Sequence, residues 1–473
     1  MVFSGPIFLF LFMPAALAIS LLAGRWILVS ISTISLLFYI WSSGPHILVL
    51  LAIAVLSYVG ALRVGTLKCE TERKWMLALF VILILSFLVF FKYAGFISVN
   101  ADSALGTNLT PVFGSVVLPI GISFFTFQAL SYLIDVHRGV VNPERKPITY
   151  LAYLSFFPHL VAGPIVRYRD VVNDFLYPKI STDHFARGIT RFAHGLAKKV
   201  IIADGIAPIV DAVFALPPGE ANLVTAWFGA TAYGIQIYFD FSGYSDMAIG
   251  LALMLGIRFQ ENFERPYGSR SVTEFWRRWH ISLSSWFRDY LYIPLGGNRR
   301  GAMVTCRNLL VVFVITGLWH GAAWTFLLWG LFHGSFLLIE RLAFREPLRA
   351  LSYPALRYLY ALPVVVVGWV IFRADTTSQT FDLWLAMVRP FASNAFDISQ
   401  AAELATPGNI LAFLFGGLIF VLPGKMSFGS RLMNAPLEGR LAWVNTVYAV
   451  GAMGLAGLIS LTAPYSPFLY FRF

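Results

Sequence analysis

Apolar segments of about 17 to 25 residues recur along this 473-residue chain, a length that carries an α-helix across the hydrocarbon core of a bilayer. Nearly all the charge lies between them. In hydrocarbon every backbone N–H and C=O must be satisfied inside the segment, so such runs fold as helices. The balance agrees: 58% of residues are hydrophobic, 12% are charged and mean hydropathy is +0.72, where a soluble domain carries roughly 25% charged residues. The chain reads as an all-α polytopic membrane protein.

The pattern predicts spans at 7–23, 26–42, 46–62, 75–97 and 113–135. Further on it predicts a helix from 184 to about 215, a return through 223–256, a hairpin over 308–340, and spans at 358–373, 409–424 and 441–463. No internal repeat, low-complexity tract or soluble domain interrupts this series, so residues 1–473 read as one integral-membrane domain. Residues 1–22 lack the basic start of a signal peptide and read as a retained first span, despite Ala16-Leu17-Ala18. The loop 63–74 holds Arg63, Lys68, Arg73 and Lys74 and the stretch 98–112 holds no Lys or Arg, so the basic residues place the amino terminus outside. The same rule accounts for the net charge of +11 without nucleic acid. It makes the loop around Lys425 to Arg440 cytoplasmic, and the acidic stretch 375–407 reads as outer surface. Cys69 and Cys306 flank basic loops and form no disulfide framework or zinc-type spacing.

Three stretches break the apolar monotony. Segment 148–165 has basic residues on both flanks and contains Pro158, Gly163 and Pro164, which predicts a re-entrant loop lining a cavity, with His159 in it. Residues 184–199 place Arg187, Arg191 and Lys198 on one helix face, the pattern of a helix end at lipid headgroups or, less often, of a phosphate site. The stretch YFDFSGYSDMAIG holds Asp240 and Asp246, which are too costly to face lipid, and Ser242-Gly243 predicts a locally opened helix. The alternative is that both aspartates pair with arginines of a neighbouring loop.

Residues 273–333 concentrate the chemistry. Ser271 and Glu274 have capping-box spacing, so a helix starts at or just before Thr273. Trp276, His280, Leu283 and Phe287 then share one helical row, while Arg277, Arg278, Ser285 and Arg288 lie off it. The arginines of 257–307 mark that stretch as a cytoplasmic loop, where Arg277, Arg278, Arg288 and Asn298 would suit a phosphorylated acyl carrier such as coenzyme A. His320 stands in the middle of an apolar segment, and an ionisable residue at such depth is functional by default. The bland reading is a histidine that hydrogen-bonds a carbonyl. A neutral imidazole in an apolar setting is a competent general base, worth ~10² to 10⁴ in rate, and would suit deprotonation of a hydroxyl attacking an activated acyl group. No Gly-x-Ser-x-Gly elbow or Walker loop occurs. A metal shared by His280 and His320 lacks nameable further ligands, so no metal site is assigned.

These motifs stand in an order that resembles the membrane-bound O-acyltransferase family, in its bacterial branch that includes the membrane subunit of alginate O-acetylation. The likeness runs from MVFSGPIFLFLF through LPIGISFFTFQALSYLIDVHRG, FFPHLVAGPIVRYRD, YFDFSGYSDMAIGLALMLG, ENFERPY and TEFWRRWHISLSSWFRDYLYIPLGGNR to GLWHGAAWTFLLWGLFHG and PFLYFRF. The resemblance implies a ring of about 11–12 transmembrane helices, with re-entrant and interfacial helices around a central funnel that Asp240, Ser242, Asp246 and His159 would line. Its catalytic core would cover about 110–345, with His320 as the catalytic histidine and His280 as the second histidine of the site. It further implies transfer of acetyl from acetyl-CoA, with no bound cofactor, across a bacterial inner membrane to an exported polysaccharide such as alginate. A periplasmic serine-type acetyltransferase would be the partner. Relatives acting on cellulose, peptidoglycan and teichoic acid share these motifs, so the acceptor stays open. A different class of function, a glycan transporter using His320, Asp240 and Asp246 as a proton relay, would call for repeated halves, and none is visible.

Overall fold

The computed structural model describes residues 2–343, 357–389, 406–421, 428–434, 436, 438–462 and 468–469. Every regular element among them is helical. Among the described residues, four stretches are long and apolar enough to cross a bilayer, namely Gly24–Thr66, Glu70–Leu105, Ala302–His320 and Gly439–Thr462. Shorter apolar helices cover Phe8–Leu22, Leu359–Arg373 and Pro407–Phe420. Gly24–Thr66 is broken by Gly44 at φ 57°, so Ile27–Ser43 and Ile47–Thr66 form separate helices, as the hydropathy pattern predicts. The segment expected at 113–135 is regular helix only from Ile122 to His137. Before it, Gly121 takes φ 78°, and a Cβ there would meet the Leu160 carbonyl oxygen at 2.4 Å, so the chain turns where only glycine fits. Most of the expected outer stretch (390–405), Lys425, and PFLYFRF except Phe468 and Leu469 lie outside the described residues.

The chain forms two compact units. The first comprises Met1–Ala193, Ser245–Gln260 and Ala435–Ala449. Here the re-entrant reading of 148–165 holds in one respect: helix Pro147–Ser155 gives way to a short turn Phe157–Leu160 and irregular chain, and residues 152–168 are buried without a break. Irregular backbone survives where protein covers it. His159 in this loop is wholly buried, donates from Nε2 to the Tyr153 carbonyl at 2.8 Å, and stacks on Phe259 at 5.2 Å. In the same unit a Cβ on Gly250 would lie 2.5 Å from the Gly188 carbonyl oxygen, so two helices touch backbone to backbone. That approach brings Arg191 onto Asp246 at 2.6 Å.

The second unit comprises His194–Tyr244, Glu261–Asn434 and Val450–Phe473. Its first helix continues through a π-helical turn, Lys198–Ala203, into Asp204–Phe214. The wider turn points two consecutive lysines inward: Lys198 donates to Ser242 Oγ at 3.2 Å, and Lys199 reaches Asp240 at 2.6 Å and Asp204 at 2.8 Å. Two expectations are corrected here. Arg191 and Lys198 are only 1% and 7% exposed, so they sit in helix packing and not among headgroups. The helix Leu223–Met254 runs unbroken through Ser242-Gly243. The glycine serves close packing instead, since a Cβ at 243 would lie 2.8 Å from the Gly195 carbonyl oxygen.

Asp240 and Asp246 therefore face basic side chains, close to the alternative drawn from sequence, although the partners are an arginine and a lysine of one helical stretch. Removing one member of such a pair strands the other charge, which costs about 3–5 kcal/mol, whereas replacing both by apolar residues is close to neutral. Asp246→Ala is expected to reduce accumulation and the melting temperature in detergent, and Arg191→Met with Asp246→Leu to restore both; equal melting of the single and double variants would refute this.

Candidate active site

The predicted hairpin is present, with arms Ala302–His320 and Trp324–Leu342. Glycines set its spacing: a Cβ on Gly317 would meet the Phe326 carbonyl oxygen at 2.2 Å, and one on Gly330 the Phe313 carbonyl oxygen at 2.4 Å. The bend falls at Gly321–Ala323 and His320 is the last residue of the first arm, in keeping with a hairpin that carries GLWHGAAW near its bend or inside its first arm. Its ring, 4% exposed, meets Trp319 and Trp329 edge-on at 5.0 Å each and Phe372 at 5.2 Å.

A second segment is built against this hairpin. Helix Val272–Arg278 starts where the capping box predicts, with Ser271 Oγ accepting from the Glu274 N–H. Its first N–H groups, on Val272 and Thr273, donate to the carboxylate of Glu340, near the end of the second arm. The Thr273 hydroxyl joins them. One turn on, Trp276 packs edge-to-face on Phe313 at 5.5 Å, Trp329 at 5.3 Å and His333 at 5.0 Å. Much of what reads as a cytoplasmic loop, 257–307, is thus integral to the packing.

The helix expected to run through His280 breaks there. Trp279 is extended and His280 is left-handed at φ 45°, an uncommon state for a residue with a Cβ, after which a new helix covers Ile281–Phe287. Asn262 holds the break. Its backbone oxygen accepts from the Ile281 N–H at 3.0 Å. Its Oδ1 accepts from the Ser282 N–H at 3.2 Å, the Ser282 hydroxyl at 2.9 Å and His280 Nδ1 at 3.2 Å. An acceptor opposite Nδ1 places the ring proton there and the basic lone pair on Nε2. His280 meets Phe241 edge-on at 4.6 Å and Trp319 at 6.1 Å, so both candidate histidines touch Trp319.

Asp240, 1% exposed, accepts from the Leu469 N–H at 2.9 Å in addition to its lysine. Its neighbour Phe241 reaches His280. Ser242 is likewise buried, and His159 and Asp246 belong to the first unit. Arg277 and Asn298 are exposed. Arg278 pairs with Glu274, and the exposed Arg288 with Asp289 at 2.7 Å. Asn262, Glu340, Trp329 and His333 escaped the sequence reading, and Trp276 entered it only as a member of the apolar row of His280. A lone carboxylate closing an apolar arm was the available signal for Glu340, and ENFERPY contained Asn262 without showing its contacts.

Comparison with known proteins adds to this geometry. The model of the membrane-bound O-acyltransferase family matches residues 68–376. The chain is 41% identical to a probable alginate O-acetylase of Azotobacter vinelandii, over 100% of both chains. It is 43% identical to a probable alginate O-acetylase of Pseudomonas aeruginosa, over 93% of this chain and 83% of that one. It is 30% identical to the peptidoglycan O-acetyltransferase of Helicobacter pylori, over 100% of this chain and 98% of the relative.

Loss of the Asn262 side chain removes the acceptor for three donors at the strained turn, each worth about 0.5–1.5 kcal/mol. Asn262→Ala is expected to lower the melting temperature and to cut activity as far as His280→Ala does. Wild-type melting and activity in Asn262→Ala would show that the turn does not depend on it.

Proposed function

We propose that this chain, which belongs to the membrane-bound O-acyltransferase family, takes acetyl from acetyl-CoA on the cytoplasmic side of a bacterial inner membrane and passes it outward for O-acetylation of an exported polysaccharide. It is a multi-pass membrane O-acyltransferase. Acetyl as the group transferred is supported by relatives named for alginate and for peptidoglycan, two different glycans with one acyl group between them. Alginate is the acceptor we favour, through a periplasmic serine-type acetyltransferase, with the amino terminus on the periplasmic side.

The observation that carries the reading is His320 at the hairpin bend, an imidazole enclosed by Trp319, Trp329 and Phe372. In this mechanism His320 accepts the proton of the acceptor hydroxyl as its oxygen bonds to the thioester carbonyl carbon. The carbonyl π pair moves onto oxygen and returns as the C–S bond breaks. The departing thiolate takes the proton back from His320, which leaves the imidazole neutral. His280 helps hold the aromatic wall through Trp319. The exposed Arg277, Arg288 and Asn298, with Arg278 beside them in sequence, offer the charge and donors that phosphates of the carrier require. A proton relay through Asp240 and Asp246 finds little support, because each carboxylate is held by a basic side chain.

His320→Ala is expected to abolish O-acetylation of the exported polysaccharide while the protein still inserts and accumulates. General-base loss alone accounts for about 10²- to 10⁴-fold. Normal acetyl content in cells carrying only that variant would overturn the assignment, and His280→Ala is expected to leave a measurable residue of activity.

A further inference from the structure

Along the same hairpin three polar rings meet without polar partners. His333 is fully buried, and neither of its ring nitrogens has a hydrogen-bond partner among the described residues. The same holds for Nε1 of Trp276 and of Trp329, residues only 8% and 0% exposed. The rings lie edge to face: Trp276 and Trp329 are each 5.0 Å from His333 and 5.3 Å from one another. Trp329 is also 5.0 Å from His320.

Phenylalanine at these positions would pack as rings do and carry no desolvated N–H, whereas an unpaired buried donor bears the full penalty of leaving water. Three such groups in one place is a concentration that packing does not explain. The surroundings accommodate them: a Cβ on Gly368 would lie 2.6 Å from His333 Nε2, so only glycine leaves the imidazole its place. The indoles are donors alone, and a neutral imidazole adds one more N–H. A donor-rich, water-shielded cluster beside a base fits an oxygen that gains negative charge during reaction.

We propose that Trp329, Trp276 and His333 form the subsite for the acyl carbonyl oxygen, their N–H groups stabilising the oxyanion while His320 holds the proton of the attacking hydroxyl. The proposal rests on the acyl-transfer reading above. As the hydroxyl oxygen bonds to the carbonyl carbon, the π pair moves onto this oxygen and the donors close on it. When the C–S bond breaks the pair returns and the contacts weaken. Such donors act in the transition state more than on the bound thioester, so their loss falls on kcat and leaves KM nearly unchanged.

The test uses inverted membrane vesicles from cells carrying the full acetylation system, with acetyl-CoA titrated outside and acetyl incorporation into polysaccharide normalised to the amount of this protein. Trp329→Phe, Trp276→Phe and His333→Phe keep a ring and remove the donor. Each is expected to lower kcat by about 100-fold, as loss of one oxyanion donor does, with KM for acetyl-CoA within about threefold. Benzothienylalanine at position 329, in which sulfur replaces the N–H in a ring of the same shape, is expected to match Trp329→Phe and decides the matter if the phenylalanine variants fail to accumulate. Wild-type kcat in the donor-free ring at 329, or a raised KM at constant kcat, overturns the subsite. If wild-type vesicles show no acetyl-CoA dependence, or His320→Ala stays active, the acyl-transfer reading itself fails; normal donor variants beside an inactive His320→Ala remove this proposal alone.

Discussion

A carboxylate near the end of one helix fixes the start of another, and the candidate site descends from that contact. Glu340 is 6% exposed and receives the N–H groups of Val272 and Thr273, two of the four that any helix leaves unpaired at its N-terminus. The positive end of the helix and the buried negative charge neutralise one another, so neither is tolerable alone at that depth. One turn along, Trp276 is delivered onto Phe313, Trp329 and His333. The break after Arg278 then brings His280 to Trp319, the ring it shares with His320. The contact ties the helix that precedes His280 to the arm that follows His320.

The left-handed backbone at His280 is the counterpart of that cap. A residue with a Cβ resists φ 45°, and the conformation persists only where surroundings over-determine it. Asn262 supplies the determination by taking up Ile281, Ser282 and the imidazole together. Strain and compensation coincide at a ring proposed to serve chemistry, which is where strain is usually kept.

What was legible in the sequence follows the range of the interactions. The Ser271–Glu274 cap and the apolar runs from Ile27 to Thr66 are local patterns, and both appear as read. The hairpin was legible as length, with GLWHGAAW near its bend or inside its first arm, but hydropathy is the same before and after a bend and could not choose between the two. Charge without its partner misled at Arg191 and Lys198: a basic row reads as surface until Asp246 and Ser242 are found across a neighbouring helix. Asn262 and Glu340 could not be assigned because their partners lie 18 and 68 residues away and no periodicity links them. The break at His280 was invisible for a related reason, since a histidine on an apolar stripe gives no sign of positive φ.

The glycines of this region show what the aromatic enclosure requires. At Gly321 a Cβ would meet the Phe326 ring at 2.1 Å, at Gly368 the His333 ring at 2.6 Å, and at Gly317 and Gly330 the facing arm's backbone. These are positions of close approach, where flexibility is not the property in use. Rings admitted that closely exclude water from His320, and in such a medium each hydrogen bond and each developing charge counts for more than it would in solvent. A weak base with a few well-placed N–H groups can then do work that in water would call for a metal or a strong acid. The small residues and the large ones are therefore two parts of one arrangement: glycine backbone brings the helices together, and the indoles fill what remains.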